Sequence, residues 1–343
     1  MSARYKKILI WILKLLIFVV AWGYVVYKFE TMDGDVSVIF SDRHFSFPIF
    51  VIVCLLMFAN WGLESLKWQK LICCTLPISY KKAVSGVLVG LPLALITPNR
   101  IGEIGGRAIV LERNRKDAVF ATFLGSLMQL STTLIMGLVG ILLYLLFLPH
   151  NQQIEELVWI SVGCVLFLLG FVFWCRDKRF LKVFLLRMLG KKFFMSLLRL
   201  VRMYSGKDMW RTLFISILRY VVFSTQFALL IKMLIPELSL LEVFVGISLM
   251  YLFTTLIPTS VLGEVGIRGS VAIAIFQFYT AEVSIIFQIS IVIWFINIVV
   301  PTLAGSLVLL QFPKFKEEVY WIQNPTSSDP KFMLPTAETA LVN

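Results

Sequence analysis

The feature that most limits what this chain can become is a series of long apolar stretches, with the charge gathered in the segments between them. Ile8–Tyr27, Phe47–Leu63, Ala118–Leu148, Leu157–Trp174, Thr212–Leu234 and Val283–Leu310 each approach or exceed the length a helix needs to cross a hydrocarbon core of roughly 30 Å. In lipid a chain must satisfy its own backbone groups, and a run of this length does so as a helix. The composition agrees, since 59% of the 343 residues are hydrophobic and 15% are charged, far from the soluble range. An all-α polytopic membrane protein with six full spans follows.

The net charge of +12 does not point to nucleic acid, because the basic residues cluster between apolar runs. Arg4, Lys6 and Lys7 before the first span, and Lys314 and Lys316 after the last, put both termini in the cytoplasm. Glu30, Asp33, Asp35, Glu155, Glu156, Glu237 and Glu242 mark the outer side, and the expected location is the inner (plasma) membrane. Ile8–Tyr27 is too long for a signal-peptide core and lacks a clear small-residue cleavage site, so it reads as an uncleaved span. Residues 176–211 mix Lys182, Arg187, Lys191, Lys192, Arg199 and Arg202 with Phe, Leu, Val and Met, the pattern of amphipathic helix lying on an anionic leaflet. Residues 313–343 are polar and turn-rich and read as a disordered cytoplasmic tail following the membrane domain, 1–312. The five cysteines and two histidines have no metal or redox spacing, so no metal or cofactor is expected.

One phrase is written twice. Thr97-Pro98-Asn99-Arg100-Ile101-Gly102-Glu103-Ile104-Gly105-Gly106-Arg107 is matched by Pro258-Thr259-Ser260-Val261-Leu262-Gly263-Glu264-Val265-Gly266-Ile267-Arg268. Upstream, Leu76-Pro77-Ile78-Ser79 and Gly86 correspond to Ile235-Pro236-Glu237-Leu238-Ser239 and Gly246. This is an internal duplication with halves at about 47–148 and 212–311, joined by the basic segment 176–211. The apolar run before the first copy, Val84–Ile96, is too short to span, and basic residues flank it on both sides, as at Lys81, Lys82, Arg113, Arg115 and Lys116. It predicts a re-entrant hairpin bent near Pro98, with a second bent near Pro258. The second copy has no basic cluster after its arginine and is flanked by Glu237, Glu242 and Glu282, so it enters from the opposite face. Six spans and two hairpins make about eight membrane segments in an inverted repeat.

Glu103 and Arg107, like Glu264 and Arg268, are four residues apart and share a helix face where they can pair. Two hairpins meeting at the midplane form the kind of site in which inverted-repeat transporters bind substrate, with helix N-termini aimed at anionic groups. The expected substrate-binding set is Glu103, Arg107, Glu264, Arg268, Asn99, Arg100 and Arg219, an arginine inside a span whose charge must find a partner. Pro98, Gly102, Gly105, Pro258, Gly263 and Gly266 are expected to shape the hairpins and allow close approach. Glu64, Gln129, Gln226, Gln288 and Asn297 are secondary polar candidates.

Thr97-Pro98-Asn99-Arg100-Ile101-Gly102-Glu103 resembles the Thr-Pro-x-x-x-Gly-Glu signature of the flippase-like transmembrane region of the lysylphosphatidylglycerol synthases (multiple peptide resistance factors), and Pro258, Gly263, Glu264 and Gly266 resemble its second element. The resemblance covers roughly residues 5–312 and implies a stand-alone member without the synthase domain, moving lipid between leaflets. The expected function is a non-enzymatic translocase for a lipid or lipid-linked glycan, passing an anionic or zwitterionic headgroup through a polar midplane cavity. Membrane lipids are the expected partners, with a homo-oligomer or a lipid-modifying enzyme also open. The competing readings are an accessory subunit of such an enzyme, or a membrane enzyme acting on a lipid phosphate.

Overall fold

The computed structural model describes Val19 and residues 42, 44–95, 97, 100–111, 115–147, 154–176, 204–257 and 261–311, with side chains throughout except at 154–158, 171–176, 261–264 and 311. Every regular element among them is helical: α1 Phe47–Ile72, α2 Tyr80–Leu95, α3 Ile101–Ile109, α4 Arg115–Phe147, α5 Ile154–Arg176, α6 Gly206–Leu234, α7 Leu240–Leu256, α8 Val261–Phe276, α9 Val283–Trp294 and α10 Val300–Gln311. A single π-helical turn, Phe295–Val299, joins α9 to α10.

Among the described residues, four helices are long and apolar enough to cross a membrane: α1, α4, α6 and the continuous Val283–Leu310. Leu157–Trp174 lies within the 23-residue α5, and Ile8–Tyr27, the 176–203 part of the basic segment and the tail lie outside the described residues. Two boundaries differ from the hydropathy reading. Helix α1 continues past Leu63 to Ile72, because Glu64 and Lys67, which look like the end of a span, are buried inside the fold. Helix α6 begins at Gly206 rather than Thr212, where Ser205 and Asp208 form a reciprocal capping box. Ser239 and Glu242 do the same for α7.

Helices α1 and α6 pack along each other at the centre, and Gln226 Nε2 donates to the Val53 carbonyl between them at 2.8 Å. Helix α2 packs on α3 and α10, and α7 packs on α4 and α8. Prolines set two of these contacts. Pro92 within α2 has no N–H for the Leu88 carbonyl, and α10 comes so close there that a Cβ on Gly305 would lie 2.0 Å from that oxygen. Pro301 likewise cannot bond the Asn297 carbonyl in the α-helical pattern; the indole Nε1 of Trp61 donates to it instead, at 3.0 Å. The strain that Pro301 introduces is absorbed in the π turn just before it. Phe58 on α1, Leu142 and Leu146 on α4 and Phe214 and Val221 on α6 are at least half exposed, forming an apolar outer surface suited to acyl chains.

Candidate functional site

Both copies of the duplicated phrase lie where one helix ends and the next begins: α2 ends at Leu95 and α3 starts at Ile101, and α7 ends at Leu256 and α8 starts at Val261. In the first copy the threonine explains the local geometry. Thr97 Oγ1 donates to the Leu93 carbonyl at 2.9 Å and accepts from the Gly102 N–H at 2.7 Å, so one hydroxyl ends α2 and caps α3. Arg100 is the residue before α3 and sits in the left-handed region at φ 57°. A Cβ on Gly102 would fall 2.0 Å from the Leu93 carbonyl oxygen, which no side chain can accommodate.

An added Cβ at Gly105 or Gly266 meets nothing within 4 Å, so neither glycine is required by protein packing. Gly102, which belongs to the same expected set, and Gly106 make tight contacts. Gly102→Ala is therefore expected to lower stability by several kcal/mol, whereas Gly105→Ala should leave it unchanged or raise it by up to about 1 kcal/mol through helix propensity. Thermal unfolding of the two purified variants measures the contrast, and equal midpoints would refute it.

The charged centre is built on α1. Asn60, Trp61, Glu64, Lys67 and Trp68 recur at helical spacing on its buried face. Glu64 is the hub: its carboxylate has Lys67 Nζ at 2.7 Å, Arg107 Nη2 at 2.8 Å and Arg219 Nη1 at 2.9 Å. Arg107 also pairs with Glu103, one turn earlier on α3. Two carboxylates thus face three cations, leaving the cluster one positive charge in excess. Such burial is tolerable only because every member has a partner; removing one partner of a buried pair costs about 3–5 kcal/mol.

Arg219 carries the network across the molecule. Its Nε donates to Asn60 Oδ1 at 2.8 Å and its Nη1 to Gln129 Oε1 at 3.3 Å. Asn60 in turn donates from Nδ2 to Asn297 Oδ1 at 2.9 Å, which ties α1 to the π turn. Each of three arginines also lies over an aromatic face: Arg107 on Trp68 at 6.0 Å, Arg219 on Trp61 at 5.5 Å and Arg268 on Tyr251 at 5.7 Å.

Two cavities adjoin this network, one of about 600 Å³ and one of about 230 Å³. They share Trp61, Arg100, Gln129, Thr133, Arg219 and Thr255 as walls. Glu64, Lys67 and Glu103 line the larger, and Asn60, Tyr251, Arg268 and Asn297 the smaller. Of the expected site residues, Arg100, Glu103, Arg219 and Arg268 therefore come together around one space. Arg107 is 2% exposed and stands behind the larger cavity, gripped by its two carboxylates. Pro98, Asn99 and Pro258 lie outside the described residues, as do the side-chain surroundings of Gly263 and Glu264 on α8.

Among the secondary candidates, Glu64, Gln129 and Asn297 belong to the network, Gln226 bonds the α1 backbone and Gln288 is not part of it. Lys67, Asn60, Trp61 and Tyr251 are members the sequence reading did not single out. Their signal was the spacing of Asn60, Glu64 and Lys67 along one face of an otherwise apolar helix. No group of three or more His, Cys, Asp or Glu able to hold a metal occurs among the described residues.

The family model described as lysylphosphatidylglycerol synthase TM region matches residues 11–308. The chain belongs to this family. No curated protein and no solved structure matches it at a significant level. As a member of the lysylphosphatidylglycerol synthase transmembrane family, it is a multi-pass membrane protein whose helices gather charge around an internal cavity. The matched region takes in both copies of the duplicated phrase and all of the charged network.

Proposed function

We propose that the chain is a lipid translocase in which a phosphate-bearing headgroup crosses through the two adjoining cavities while its tails stay in the bilayer. Arg219 carries this reading. It lines both cavities and is 16% exposed, whereas Lys67 and Arg107, the other cations on Glu64, are 1% and 2% exposed. Glu64 keeps two partners when Arg219 departs, so the exchange leaves no bare carboxylate in the interior. A guanidinium that is free to turn can take a phosphate in a bidentate grip. Arg100 and Arg268, on the same walls, extend the path.

The inverted repeat is part of the same proposal, and the helix pairing supports it. Helix α2 packs on α10 at the end of the second half, and its counterpart α7 packs on α4 in the first half. Helices α1 and α6, which are counterparts, pack on each other. Asn60 and Arg219, bonded across that central pair, are 159 residues apart, the same interval that separates Pro77 from Pro236. Helix α2 with 16 residues and α3 with 9 are each too short to cross a core of roughly 30 Å, which suits a re-entrant hairpin whose broken backbone lines a wet cavity. We place the protein in the plasma membrane with its basic segments at the cytoplasmic face, and assign it no catalytic residue.

Purified protein in vesicles is expected to accelerate transbilayer movement of phosphate-headgroup lipids over protein-free vesicles. If no phospholipid class moves faster, the translocase reading is wrong.

A further inference from the structure

A second cavity, of about 300 Å³, lies away from the charged network between α4, α6 and α7. Its rim is exposed and apolar: Leu240 is 74%, Val221 50% and Phe244 39% exposed. Its floor includes Ile247 and three hydroxyl side chains, Tyr220, Ser224 and Ser248, of which Tyr220 and Ser248 are 2% and 1% exposed and Ser224 is half-buried. Tyr220 is within hydrogen-bonding reach of both Ser224 and Ser248, and beyond these mutual contacts none of the three oxygens has a partner among the described residues. Three hydroxyls carry three protons and two mutual contacts use two of them, which leaves one buried O–H to donate, and an unpaired one costs roughly 1–3 kcal/mol. That spare donor, at the end of a crevice that opens on the apolar outer surface, makes a site for a ligand that is apolar in body and carries an acceptor.

We infer that this crevice binds the ester end of a glycerophospholipid acyl chain, with its carbonyl accepting from the hydroxyl floor and its methylenes leaving past Val221 and Phe244. The position suits a lipid whose headgroup is in the polar cavities. Tyr220, on the crevice floor, stands edge-on to Tyr251 with ring centroids 6.0 Å apart, and Tyr251 lines the smaller polar cavity under Arg268. A two-ring wall thus separates the hydroxyl floor from the arginines. Headgroup and tail would pass on its two sides. That path rests on the translocase reading, whereas the binding site itself does not. An ordinary surrounding lipid presents only methylenes near the middle of α6, where Tyr220 and Ser224 lie, so the acceptor distinguishes this occupant from the general lipid coat.

The test uses full-length protein in vesicles of diether phosphatidylglycerol/phosphatidylethanolamine containing a diester phospholipid with a photoactivatable diazirine near the carboxyl end of one chain. Illumination and peptide mapping are expected to find label on the floor, at Ile247 and Ser248, as well as on the rim. Unlabelled diester lipid should compete about five-fold better than its diether analogue, which lacks the carbonyl, by the usual strength of one hydrogen bond. The combined Tyr220→Phe, Ser224→Ala and Ser248→Ala variant should lose that preference while still being labelled on the rim. Label confined to Leu240, Val221 and Phe244, or equal competition by diester and diether lipids in the wild type, would overturn the site. Floor labelling without lipid movement would leave the site standing and remove the translocase reading; movement without floor labelling would do the reverse.

Discussion

Glu64→Gln is expected to destabilise the protein by about 3–5 kcal/mol, the usual cost of removing one partner from a buried ion pair. The substitution keeps the shape of the side chain but leaves Lys67 and Arg219 facing no carboxylate within the network, with Arg107 held by Glu103 alone. Thermal unfolding in a fixed detergent measures the loss. Lys67→Met alone should do much less, since Arg107 and Arg219 still hold the Glu64 carboxylate and the methionine fills a similar volume. Adding Lys67→Met to Glu64→Gln should recover part of the loss, because it removes one of the stranded cations. A Glu64→Gln variant as stable as wild type would show that the three cations do not depend on this carboxylate.

Arg219→Ala should produce the opposite separation of effects. Glu64 retains Lys67 and Arg107, so the fold survives with a modest loss, chiefly at Asn60 and Gln129. Lipid movement in vesicles should fall by about 10- to 100-fold, the rate equivalent of one charge-assisted hydrogen-bonded contact to phosphate. Arg219→Lys keeps the charge and loses the planar fork, and should fall between the two. Movement at the wild-type rate in the alanine variant would remove Arg219 from the headgroup path. Unfolding of that variant would mean that Arg219 serves as a fixed strut.

The long helices could be read directly because hydropathy reports burial in lipid, and length reports crossing. The same rule failed at the end of α1, where Glu64 and Lys67 look like a cytoplasmic boundary and are instead buried, Lys67 paired with Glu64 and Glu64 held in turn by Arg107 of α3 and Arg219 of α6. The pair of Glu103 and Arg107 was visible because both residues are on one helix, four apart. Arg107 to Glu64 and Arg219 to Asn60 join different helices at separations of 43 and 159 residues, and helical periodicity tells which face a side chain shares but not which helix will meet it. Thr97 illustrates the same limit at short range. Its place before Pro98 suggested a turn, while its role as the cap of α3 depends on a fold-back that brings it to Gly102. Gly102 and Gly106 make tight contacts while Gly105 and Gly266 face open space, a difference that does not show in a sequence because all four are the same residue in the same phrase.

Side-specific labelling of single cysteines bears most directly on the arrangement that all of this requires. In a cysteine-free background, Lys81→Cys and Lys116→Cys bracket the first helix pair, and Glu237→Cys and Glu282→Cys bracket the second; all four positions are exposed. With a membrane-impermeant reagent on sealed, oriented vesicles, opposed hairpins require Lys81→Cys and Lys116→Cys to react from one side and Glu237→Cys and Glu282→Cys from the other. If the two cysteines of either bracket react from different sides, that helix pair crosses the membrane, and two hairpins enclosing a headgroup path from opposite faces cannot be right.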